Sequence, residues 1–530
     1  MSNEFDVIII GSGFGGAVTA CRLAERGLKR ILVLERGREW TVDNYPWRSG
    51  HWLYDPAEPE CESGWIDLRN FGDMVVAQGA GVGGGSLIYA NVSVEGKPEL
   101  FAQGWPPEIT YHELVPYYAA AGKMLGVQVL PDNQLTERFK IMRQGAQQIG
   151  AAERFRKLPL AVSFSADWSY DLEDRFDDRH SQTWTNAQGQ TQGTCVHRGY
   201  CDIGCPVKAK NTLDLNYLAR ARELGVKVSP LHLVRVIEPL SPGYRVRFDV
   251  VEPDHEHTLT PGSATADRVI VAAGSLGSTE LLLRCRDQYR TLPDLSPFLG
   301  INWSSNGDFL TPGFYLDRTT AVSPSHGPTI TSAIDFLDGS DGEQFFIEDG
   351  GLPDLLKTYL DAKFNARGGS RIARTFFKGL RAAALEGDVL PHMMPWFAQG
   401  VDAADGRLYL GRKWSAPWRK VLKLKWPIRR SAPLIEATIA MHQRLTQATG
   451  GNGTWVTPTW RWLKNLVTPH PLGGCNMGVT RASGVVNHAG AVFGYPGLYV
   501  ADGAIIPEAL GLNPSRTIAA LAERNAALIV

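Results

Sequence analysis

The feature that most constrains this chain is a glycine-rich turn between a strand and a helix near its start. Residues 5–10 are short, β-branched and almost wholly apolar, which predicts a buried parallel strand. Residues 11–16 read Gly-Ser-Gly-Phe-Gly-Gly, and an amphipathic helix then runs to a stop at Gly27. A second apolar strand, residues 31–34, delivers Glu35. This order of strand, turn, helix, strand and acid is the fingerprint of a dinucleotide-binding fold.

Each part of the motif has a mechanical reason. Gly11 permits the sharp turn, Gly13 lets the backbone approach a pyrophosphate, and Gly16 lets the helix pack closely on the strand. The start of the helix offers free backbone amides to the phosphates, and Glu35 is placed to accept hydrogen bonds from a ribose. The motif predicts nucleotide binding, with a purely structural turn as the alternative. It does not separate FAD from NAD.

Length and charge set the class of protein. A chain of 530 residues predicts two domains, and a formal net charge of −1 argues against a general attraction to nucleic acid. The first four residues lead straight into the predicted strand, which leaves no room for a secretory signal. No apolar run is long enough to span a bilayer, so we expect a cytoplasmic protein.

The cysteines could be read as a metal site or as packing. There are seven, which is odd and few for this length, so a disulfide scaffold is not expected. Cys195, Cys201 and Cys205 are clustered, and a metal or iron–sulfur site would need His197 or Cys61 as a further ligand. The spacing fits no familiar ligand loop. We therefore predict reduced, packed cysteines and no metal.

Two further segments suit contact with a ligand. Residues 79–85 hold five glycines, which fits a backbone that lies against a flat or charged ligand. Residues 268–274 form another buried strand that ends in glycine, and a helix is predicted over 278–285. The nucleotide-binding fold therefore resumes here. A helix over 211–224 and strands over 226–228 and 244–250 are predicted in front of it.

The last seventy residues carry two candidate catalytic side chains. His470 lies in a turn whose prolines and glycines fix the backbone. Residues 498–500 predict a strand, followed by a polar turn at Asp502. Asn513 precedes a final helix predicted over 517–528, where we expect it to act as the cap.

The region between these parts has a different pattern of apolar and charged residues. Short alternating strands are predicted over 330–336, 344–348 and 408–410, around a basic helical stretch over 355–385. Residues 412–430 carry eight basic residues, no acids and three tryptophans. Two interpretations stay open for them: a surface that makes weak contact with an anionic membrane to collect an apolar substrate, or a solvated strand whose lysines face water.

Together these segments resemble the glucose–methanol–choline (GMC) family of FAD oxidoreductases, and within it the bacterial-type cholesterol oxidases that hold FAD non-covalently. The segments that carry the resemblance are the Gly11-to-Glu35 fingerprint, residues 83–86, 273–275 with Ser278, 470–475, 499–503 and 513–514. The resemblance implies an α/β fold (α+β overall). A Rossmann-type FAD-binding domain with a parallel sheet would comprise residues 1–45, 210–300 and 468–530. A substrate domain with a mixed or antiparallel sheet and helices would comprise 46–209 and 301–467.

The resemblance also implies the site. His470 and Asn513 match the pair that faces the flavin ring, and Glu348 matches, more loosely, the active-site glutamate of cholesterol oxidases. Family members with covalent FAD use a histidine near the second glycine cluster, and none lies between residues 66 and 112 here, so we expect non-covalent FAD. The implied cofactor-binding residues are Gly11, Gly13, Phe14, Gly15, Gly16, Glu35, Gly83, Gly84, Gly85, Ser86, Asn91, Ala273, Gly274, Asp502, Gly503, Asn513 and Pro514.

The chemistry of these residue types fits alcohol oxidation. The flavin accepts a hydride, and the hydroxyl proton needs a base, for which a histidine with an ordinary pKa of about 6.5 is suited. We predict His470 as base or orienting acceptor and Asn513 as the group that positions the hydroxyl. If the substrate is a steroid with a neighbouring double bond, Glu348 would shuttle a proton to bring that bond into conjugation. Fifteen tryptophans favour a bulky hydrophobic alcohol over a sugar.

Two alternatives remain at this point. One is a dehydrogenase for a terpene, aryl or long-chain alcohol that passes electrons to a quinone or carrier instead of oxygen. The other is a non-catalytic redox sensor that binds a flavin or NAD, although a sensor would need neither His470 nor Asn513.

Overall fold

The computed structural model of the protein describes residues 4–42, 44–45, 52–252, 258–353, 389–414, 416–456, 460–461 and 464–529. The helical stretch predicted over 355–385 lies outside these ranges. The described α-helices are α1 (Phe14–Glu25), α2 (Tyr111–Met124), α3 (Glu137–Gln148), α4 (Tyr217–Glu223), α5 (Gly274–Leu283), α6 (Ala432–Ala448) and α7 (Ser515–Ile529).

The described strands fall into two large sheets and several small ones. They are β1 (Phe5–Ile10), β2 (Ile31–Leu34), β3 (Ile66–Asn70), β4 (Met74–Gly79), β5 (Gln128–Val129), β6 (Phe155–Lys157), β7 (Pro159–Leu160), β8 (Thr183–Thr185), β9 (Thr191–Gly193), β10 (Lys227–Ser229), β11 (His232–Pro239), β12 (Tyr244–Glu252), β13 (Thr258–Val271), β14 (Phe309–Phe314), β15 (Ser332–Phe336), β16 (Phe345–Asp349), β17 (Met393–Gly400), β18 (Arg407–Lys413), β19 (Ala416–Lys425), β20 (Gly453–Thr454), β21 (Leu466–Thr468) and β22 (Leu498–Val500).

The first large sheet is built from both ends of the chain and has the order β10-β2-β1-β13-β12-β11, with β22 beside β13. The strands β10, β2, β1, β13 and β22 run parallel, whereas β11 and β12 continue antiparallel from the other half of β13. Residues 7–10 of β1 are fully buried, as expected for a strand covered on both faces. This is the predicted Rossmann-type arrangement, and the predicted fold class is confirmed.

The helices at the two ends of the chain pack against each other. Small side chains of α1 and α7, among them Ala17, Ala20, Ala519 and Ala522, share one buried cluster. Arg22 of α1 makes a two-pronged ion pair with Glu523 of α7, with N–O distances of 2.6 and 2.7 Å. Tyr217 of α4 donates to the same carboxylate at 2.5 Å. The helices α1, α4 and α7 therefore form one layer over the sheet.

The second large sheet is antiparallel and has the order β20-β14-β17-β16-β15-β6. Its strands alternate between two environments. Ile347 and Trp396 belong to the cluster that packs under α3 and α6, whereas Glu348 and Phe397, which face each other across β16 and β17, point to the opposite side. That side holds the candidate active site.

Two predicted helix starts and one predicted helix cap are wrong. The predicted helix over 211–224 is interrupted at Asn216, whose backbone is not helical. The side chain of Asn216 accepts a hydrogen bond from the backbone amide of Tyr217, and α4 begins at Tyr217. The helix expected from 278 begins already at Gly274. Asn513 does not cap the last helix, because its Oδ1 accepts no hydrogen bond from any described residue. The domain boundaries stay a prediction.

Candidate active site

The first glycine turn is packed against the carboxyl ends of the parallel strands. A Cβ on Gly16 would overlap the carbonyl oxygen of Gly11, and a Cβ on Gly15 would overlap that of Ala501 after β22. Gly13 differs, because the nearest protein atom to a Cβ there lies 3.8 Å away. Gly15 and Gly16 are thus required by the fold, whereas a Cβ at Gly13 would meet only ordinary contacts, so that its absence leaves room for the close approach of a pyrophosphate.

The second glycine cluster lies directly against the first. Gly83 and Gly84 have φ values of 102° and 51°, and a Cβ on Gly84 would come within 2.6 Å of the Cα of Gly13. Ser86 is buried and donates its hydroxyl to the carbonyl of Gly83 at 2.8 Å. A Cβ on Gly85 would meet no atom within 4 Å. The two clusters form one cradle of bare backbone that is open at Gly85.

Glu35 ties this cradle together. One of its carboxylate oxygens accepts the amide and the hydroxyl of Ser12 at 3.1 and 2.7 Å, and the other accepts the amide of Gly37 at 3.0 Å. The Ser12 hydroxyl in turn accepts the amide of Gly83 at 3.1 Å. A carboxylate has about four acceptor sites. Glu35 therefore orders both glycine turns and keeps acceptor capacity for a ribose hydroxyl.

Asp502 forms the opposite wall, at the ends of β13 and β22. Its Oδ2 accepts the amide of Gly274 at 2.9 Å and the hydroxyl of Ser278 at 2.5 Å, and its Oδ1 accepts the amide of Ala504 at 2.8 Å. Ser278 also accepts the amide of Ala273 at 2.9 Å. Burial raises the pKa of Asp502 to about 6, and these hydrogen bonds oppose the rise. The predicted pairs at 273–274 and 502–503 therefore meet.

Asn91 supplies the clearest sign of a missing partner. It is fully buried in the left-handed region at a φ of 66°, and neither its amide nitrogen nor its carbonyl oxygen finds a hydrogen-bond partner among the described residues. Buried amides are almost always satisfied, so Asn91 has unused donor and acceptor capacity for a polar ligand. The cradle, the free start of α1, Glu35 and Asn91 together fit FAD. Phe14 packs its ring on Tyr89 at 5.5 Å, and Pro514 directly precedes α7.

A carboxylate that was not predicted from the sequence stands behind His470. The Nδ1 atom of His470 lies 2.9 and 3.1 Å from the two oxygens of Asp308, which is buried. Thr468 hydrogen-bonds the same carboxylate and accepts the backbone amide of His470 at 2.9 Å. Burial raises the pKa of Asp308, and the contact with His470 opposes that rise. No described residue hydrogen-bonds the Nε2 atom of His470, so this atom is free to meet a ligand.

The same stretch also holds the backbone in front of Asn513. We call residues 304–308 the clamp segment. In it, the side-chain oxygen of Asn306 accepts the amides of Leu510 and Gly511 at 2.9 and 2.8 Å. Its amide nitrogen donates to the carbonyl of Leu512 at 2.9 Å. One segment therefore fixes the two chain positions that carry the predicted catalytic pair.

The clamp segment is itself anchored. Asp402 accepts the amides of Ser305 and Gly307 at 2.9 and 3.3 Å, together with the hydroxyls of Ser304 and Ser305. Ser304 pairs its backbone with Leu472, two residues after His470. The clamp segment reads Ser-Ser-Asn-Gly-Asp and precedes an apolar strand. This cluster of polar residues was the only sign of the segment in the sequence.

Glu348 lies in this site and is fully buried. Its Oε2 accepts the side-chain amide of Gln399 at 2.9 Å, while its Oε1 has no hydrogen-bond partner among the described residues. Burial raises the pKa of Glu348 well above its ordinary value, the charge of Asp349 adds to the rise, and the nearby Asn513 side chain opposes it. The protonated form is favoured. The structure thus brings Glu348 beside Asn513.

The three predicted catalytic residues are therefore neighbours. Phe397 faces Glu348 across the sheet and lies with its ring 6.2 Å from the ring of His470. The Oδ1 of Asn513, the Oε1 of Glu348 and the Oε1 of Gln399 are buried oxygen atoms without a hydrogen-bond partner in the described part of the chain. Such a group fits a ligand with a hydroxyl, which can donate to an amide oxygen and accept from the protonated carboxyl.

The cysteine cluster does not form a comparable site. Among the described residues there is no group of three His, Cys, Asp or Glu side chains that could hold a metal ion, and all seven cysteines are free. Both ring nitrogens of His197 are engaged, one with Gln134 at 3.1 Å and the other with Tyr170 at 3.2 Å. Its ring stacks on Trp168 at 3.8 Å.

Comparison with known proteins decides the family. A model described as GMC oxidoreductase matches residues 423–522, and one described as an NAD(P)-binding Rossmann-like domain matches residues 9–54. The chain is 32% identical to a cholesterol oxidase of Mycobacterium tuberculosis over all of this chain and 91% of that protein. It is 30% identical to a cholesterol oxidase of Acinetobacter baumannii over 98% of this chain and 93% of that one.

The chain belongs to the glucose–methanol–choline family of oxidoreductases. It is an FAD-dependent enzyme that acts on the CH–OH group of alcohols. The alternative of a non-catalytic redox sensor is therefore wrong. A formate oxidase structure from Aspergillus oryzae shares the fold, with a TM-score of 0.65 at 14% identity over 100% of this chain and 99% of that one. The roles of individual residues stay predictions.

Asn91 gives a test of the cofactor site that does not depend on activity. Because its side chain has no described protein partner, Asn91→Ala should lower the unfolding midpoint only modestly, through the strain of an alanine at a left-handed φ, but weaken FAD binding about tenfold or more. Fluorescence titration of the FAD-free protein with FAD measures the affinity. The matched control is Asn211→Ala, which removes a buried amide that bonds Gln192 and the carbonyl of Leu125 and should lower stability. Unchanged FAD affinity in Asn91→Ala would remove Asn91 from the site.

Proposed function

We propose that this enzyme oxidises a bulky hydrophobic alcohol of the sterol type, with non-covalently bound FAD and with oxygen as the electron acceptor. The observation that carries the proposal is the grouping of the half-buried His470 with the buried side chains of Asn513 and Glu348, beside the ring of Phe397. Two relatives of at least 30% identity are cholesterol oxidases, which supports both the substrate class and oxygen. The alternative is a terpene, aryl or long-chain alcohol with a quinone or carrier as acceptor.

His470 would take the hydroxyl proton. Its Nδ1 donates to Asp308, which fixes the ring and leaves the lone pair of Nε2 directed away from the protein contacts. A buried carboxylate behind an imidazole stabilises the charged ring that forms when the proton is taken up. When bound, FAD supplies the acceptor for the hydride that leaves the same carbon.

Asn513 would hold the substrate oxygen. Because Asn306 fixes residues 510–512 rather than the side chain itself, the Asn513 carboxamide is positioned by its backbone. Its Oδ1 has no hydrogen-bond partner among the described residues, and the side chain lies beside Glu348. An amide donor that is already in place stabilises negative charge as it develops on the oxygen.

Replacing His470 tests the base directly. His470→Ala should retain FAD, but reduction of the flavin by a sterol under anaerobic conditions should slow about 10²- to 10⁴-fold. Stopped-flow absorbance of the flavin band measures this rate. His232→Ala, in β11, is the control and should not change the rate.

A panel of sterols, terpenols and long-chain alcohols tested on the unmodified enzyme identifies the substrate class. Reduction of the flavin by a terpenol but by no sterol would overturn the sterol assignment.

Asp308 should act by positioning His470. Asp308→Asn should slow flavin reduction about 10- to 10³-fold with little change in the apparent substrate affinity. In protein labelled with ¹⁵N-histidine, the signal of a ring protonated on Nδ1 should be lost for His470, which a merely structural role would not cause. Asp335→Asn, at a buried position on β15 of the same sheet, is the control. An unchanged His470 signal would contradict the positioning role.

Glu348 would move a proton during isomerisation of a steroid double bond. Gln399 donates to Oε2, so the proton of the neutral acid is on Oε1, the oxygen without a hydrogen-bond partner among the described residues. Oε1 is therefore the atom that can give its proton to the far carbon of the double bond, and the carboxylate regains a proton from the carbon between the double bond and the carbonyl. A neutral carboxyl with a raised pKa suits transfer in both directions.

Two variants separate isomerisation from oxidation. Glu348→Gln should abolish conversion of a β,γ-unsaturated steroid ketone to its conjugated isomer while flavin reduction by the alcohol persists. Infrared difference spectra at pH 7 should lose one protonated carboxyl band in Glu348→Gln, because the raised pKa keeps this group neutral. Gln399→Leu should keep the band but shift its frequency and slow isomerisation. If Glu348→Gln changed neither isomerisation nor oxidation, the assignment would be wrong.

The cofactor linkage and the acceptor are tested separately. Acid precipitation should release the flavin into the supernatant if FAD is non-covalent. Consumption of oxygen with formation of peroxide distinguishes an oxidase from a dehydrogenase that requires a quinone.

None of the described helices is both long and apolar enough to cross a membrane. The cytoplasmic location stays a prediction.

A further inference from the structure

The two most exposed large apolar side chains of the described residues lie together at one hairpin. The strands β18 and β19 form a two-stranded sheet of their own. Trp414 is 95% exposed and Trp418 is 82% exposed, one near each end of the connection between the strands. Fully exposed indoles are unusual in a folded protein, and a pair of them marks a contact surface.

The surroundings of these indoles are strongly basic. Residues 412–430 carry eight cations and no acid, although the whole chain has a net charge of −1. Arg412, Arg419 and Lys425 are exposed on the hairpin. The local charge is therefore a property of this hairpin and not of the whole protein.

The base of the hairpin is firmly held. Leu408 and Leu422 are buried in the main core, and Trp426 packs edge-on against the buried Trp303 at 5.4 Å. The backbones of Trp303 and Gly406 exchange two hydrogen bonds of 2.9 Å. Trp303 directly precedes the clamp segment, so the exposed tip is joined through well-packed residues to the wall of the active site.

We propose that the tip of this hairpin docks on the surface of an anionic lipid bilayer, with Trp414 and Trp418 in the headgroup layer and the flanking cations against lipid phosphates. Indole rings prefer the membrane–water interface, and basic residues near an anionic surface add to the attraction. This inference rests on the proposed function, because a bulky hydrophobic alcohol resides in membranes and the enzyme would have to collect it there.

The same cations could face a nucleic acid. Binding of that kind uses a basic groove with bases stacked along it, whereas here the two indoles flank a proline at the end of a narrow hairpin. The shape therefore favours shallow insertion into an interface, and nucleic-acid binding becomes an outcome of the test.

Vesicle binding of the FAD-loaded enzyme tests the proposal without any turnover. Co-sedimentation is measured with vesicles of neutral phosphatidylcholine and with vesicles that also contain 30% phosphatidylglycerol. We expect binding to the second kind only, weakened by 0.5 M salt, with a blue shift of tryptophan emission and quenching by brominated lipid. Trp414→Ala with Trp418→Ala, and separately Arg412→Gln with Arg419→Gln, should each lower the partition coefficient about tenfold or more.

The controls use matched positions elsewhere on the surface. Trp184→Ala removes an indole that is 39% exposed outside the hairpin, and Arg26→Gln with Lys29→Gln removes two exposed cations of another face. Neither should change binding. Binding that the hairpin variants do not alter, or no binding to anionic vesicles, would overturn the proposal. Binding of a single-stranded oligonucleotide in place of vesicles would reassign the surface to nucleic acid.

The proposed function is read out separately, by flavin reduction with sterol dissolved in detergent. Hairpin variants should reduce flavin normally there, but slowly when the sterol is presented in anionic vesicles. If no sterol reduced the flavin in detergent, the proposed function would fail while the vesicle result would still stand.

Discussion

The clamp segment, residues 304–308, is the constraint on which the active site depends. Asp308 holds the ring of His470, and Asn306 holds the backbone that presents Asn513. Hydrogen bonds to charged groups contribute about 1.5–3 kcal/mol each, and leaving such a group buried without its partner costs at least as much. Asp402, which accepts hydrogen bonds from four donors of the segment, is therefore as necessary to the geometry as the residues that touch a substrate.

The fold explains why the two ends of the chain must meet. The strand β13 pairs with β1 on one side and with β22 on the other, which sets the first glycine turn beside Asp502. Gly15 allows the contact, because any side chain there would overlap the backbone at Ala501. The ion pair of Arg22 with Glu523 fixes the covering helices in the same relation. A cofactor bound at the front of the chain is thereby brought to catalytic groups from its end.

Much of the nucleotide-binding half could be predicted from the sequence, because its signals are local. Glycines at fixed spacing, a buried strand and an acid about twenty residues later are all read within forty positions. The family resemblance then pointed to His470, Asn513 and Glu348. By contrast, Asp308 is 162 positions from the histidine that it holds, and no local pattern shows such a pairing. The role of Gln399 is hidden for the same reason, since it follows only from the pairing of β16 with β17.

The helix errors have a similar origin. A periodic apolar pattern continues through Asn216, but the side chain of that residue bonds the next backbone amide and the helix begins again. Asn513 has the composition of a cap and stands at the start of a helix, yet the partners that would decide its role come from distant strands. Residue type is informative about capping only where no tertiary ligand competes for the side chain.

The most direct measurement is a crystal structure of the FAD-loaded enzyme with an unreactive sterol analogue that keeps its hydroxyl. The hydroxyl oxygen should lie within about 3.2 Å of both the Nε2 of His470 and the side-chain amide of Asn513, next to the flavin ring. Asp308 and Asn306 should keep their present hydrogen bonds. A hydroxyl bound away from His470 and Asn513, or a flavin ring on the far side of the clamp segment, would contradict the catalytic roles of these two residues.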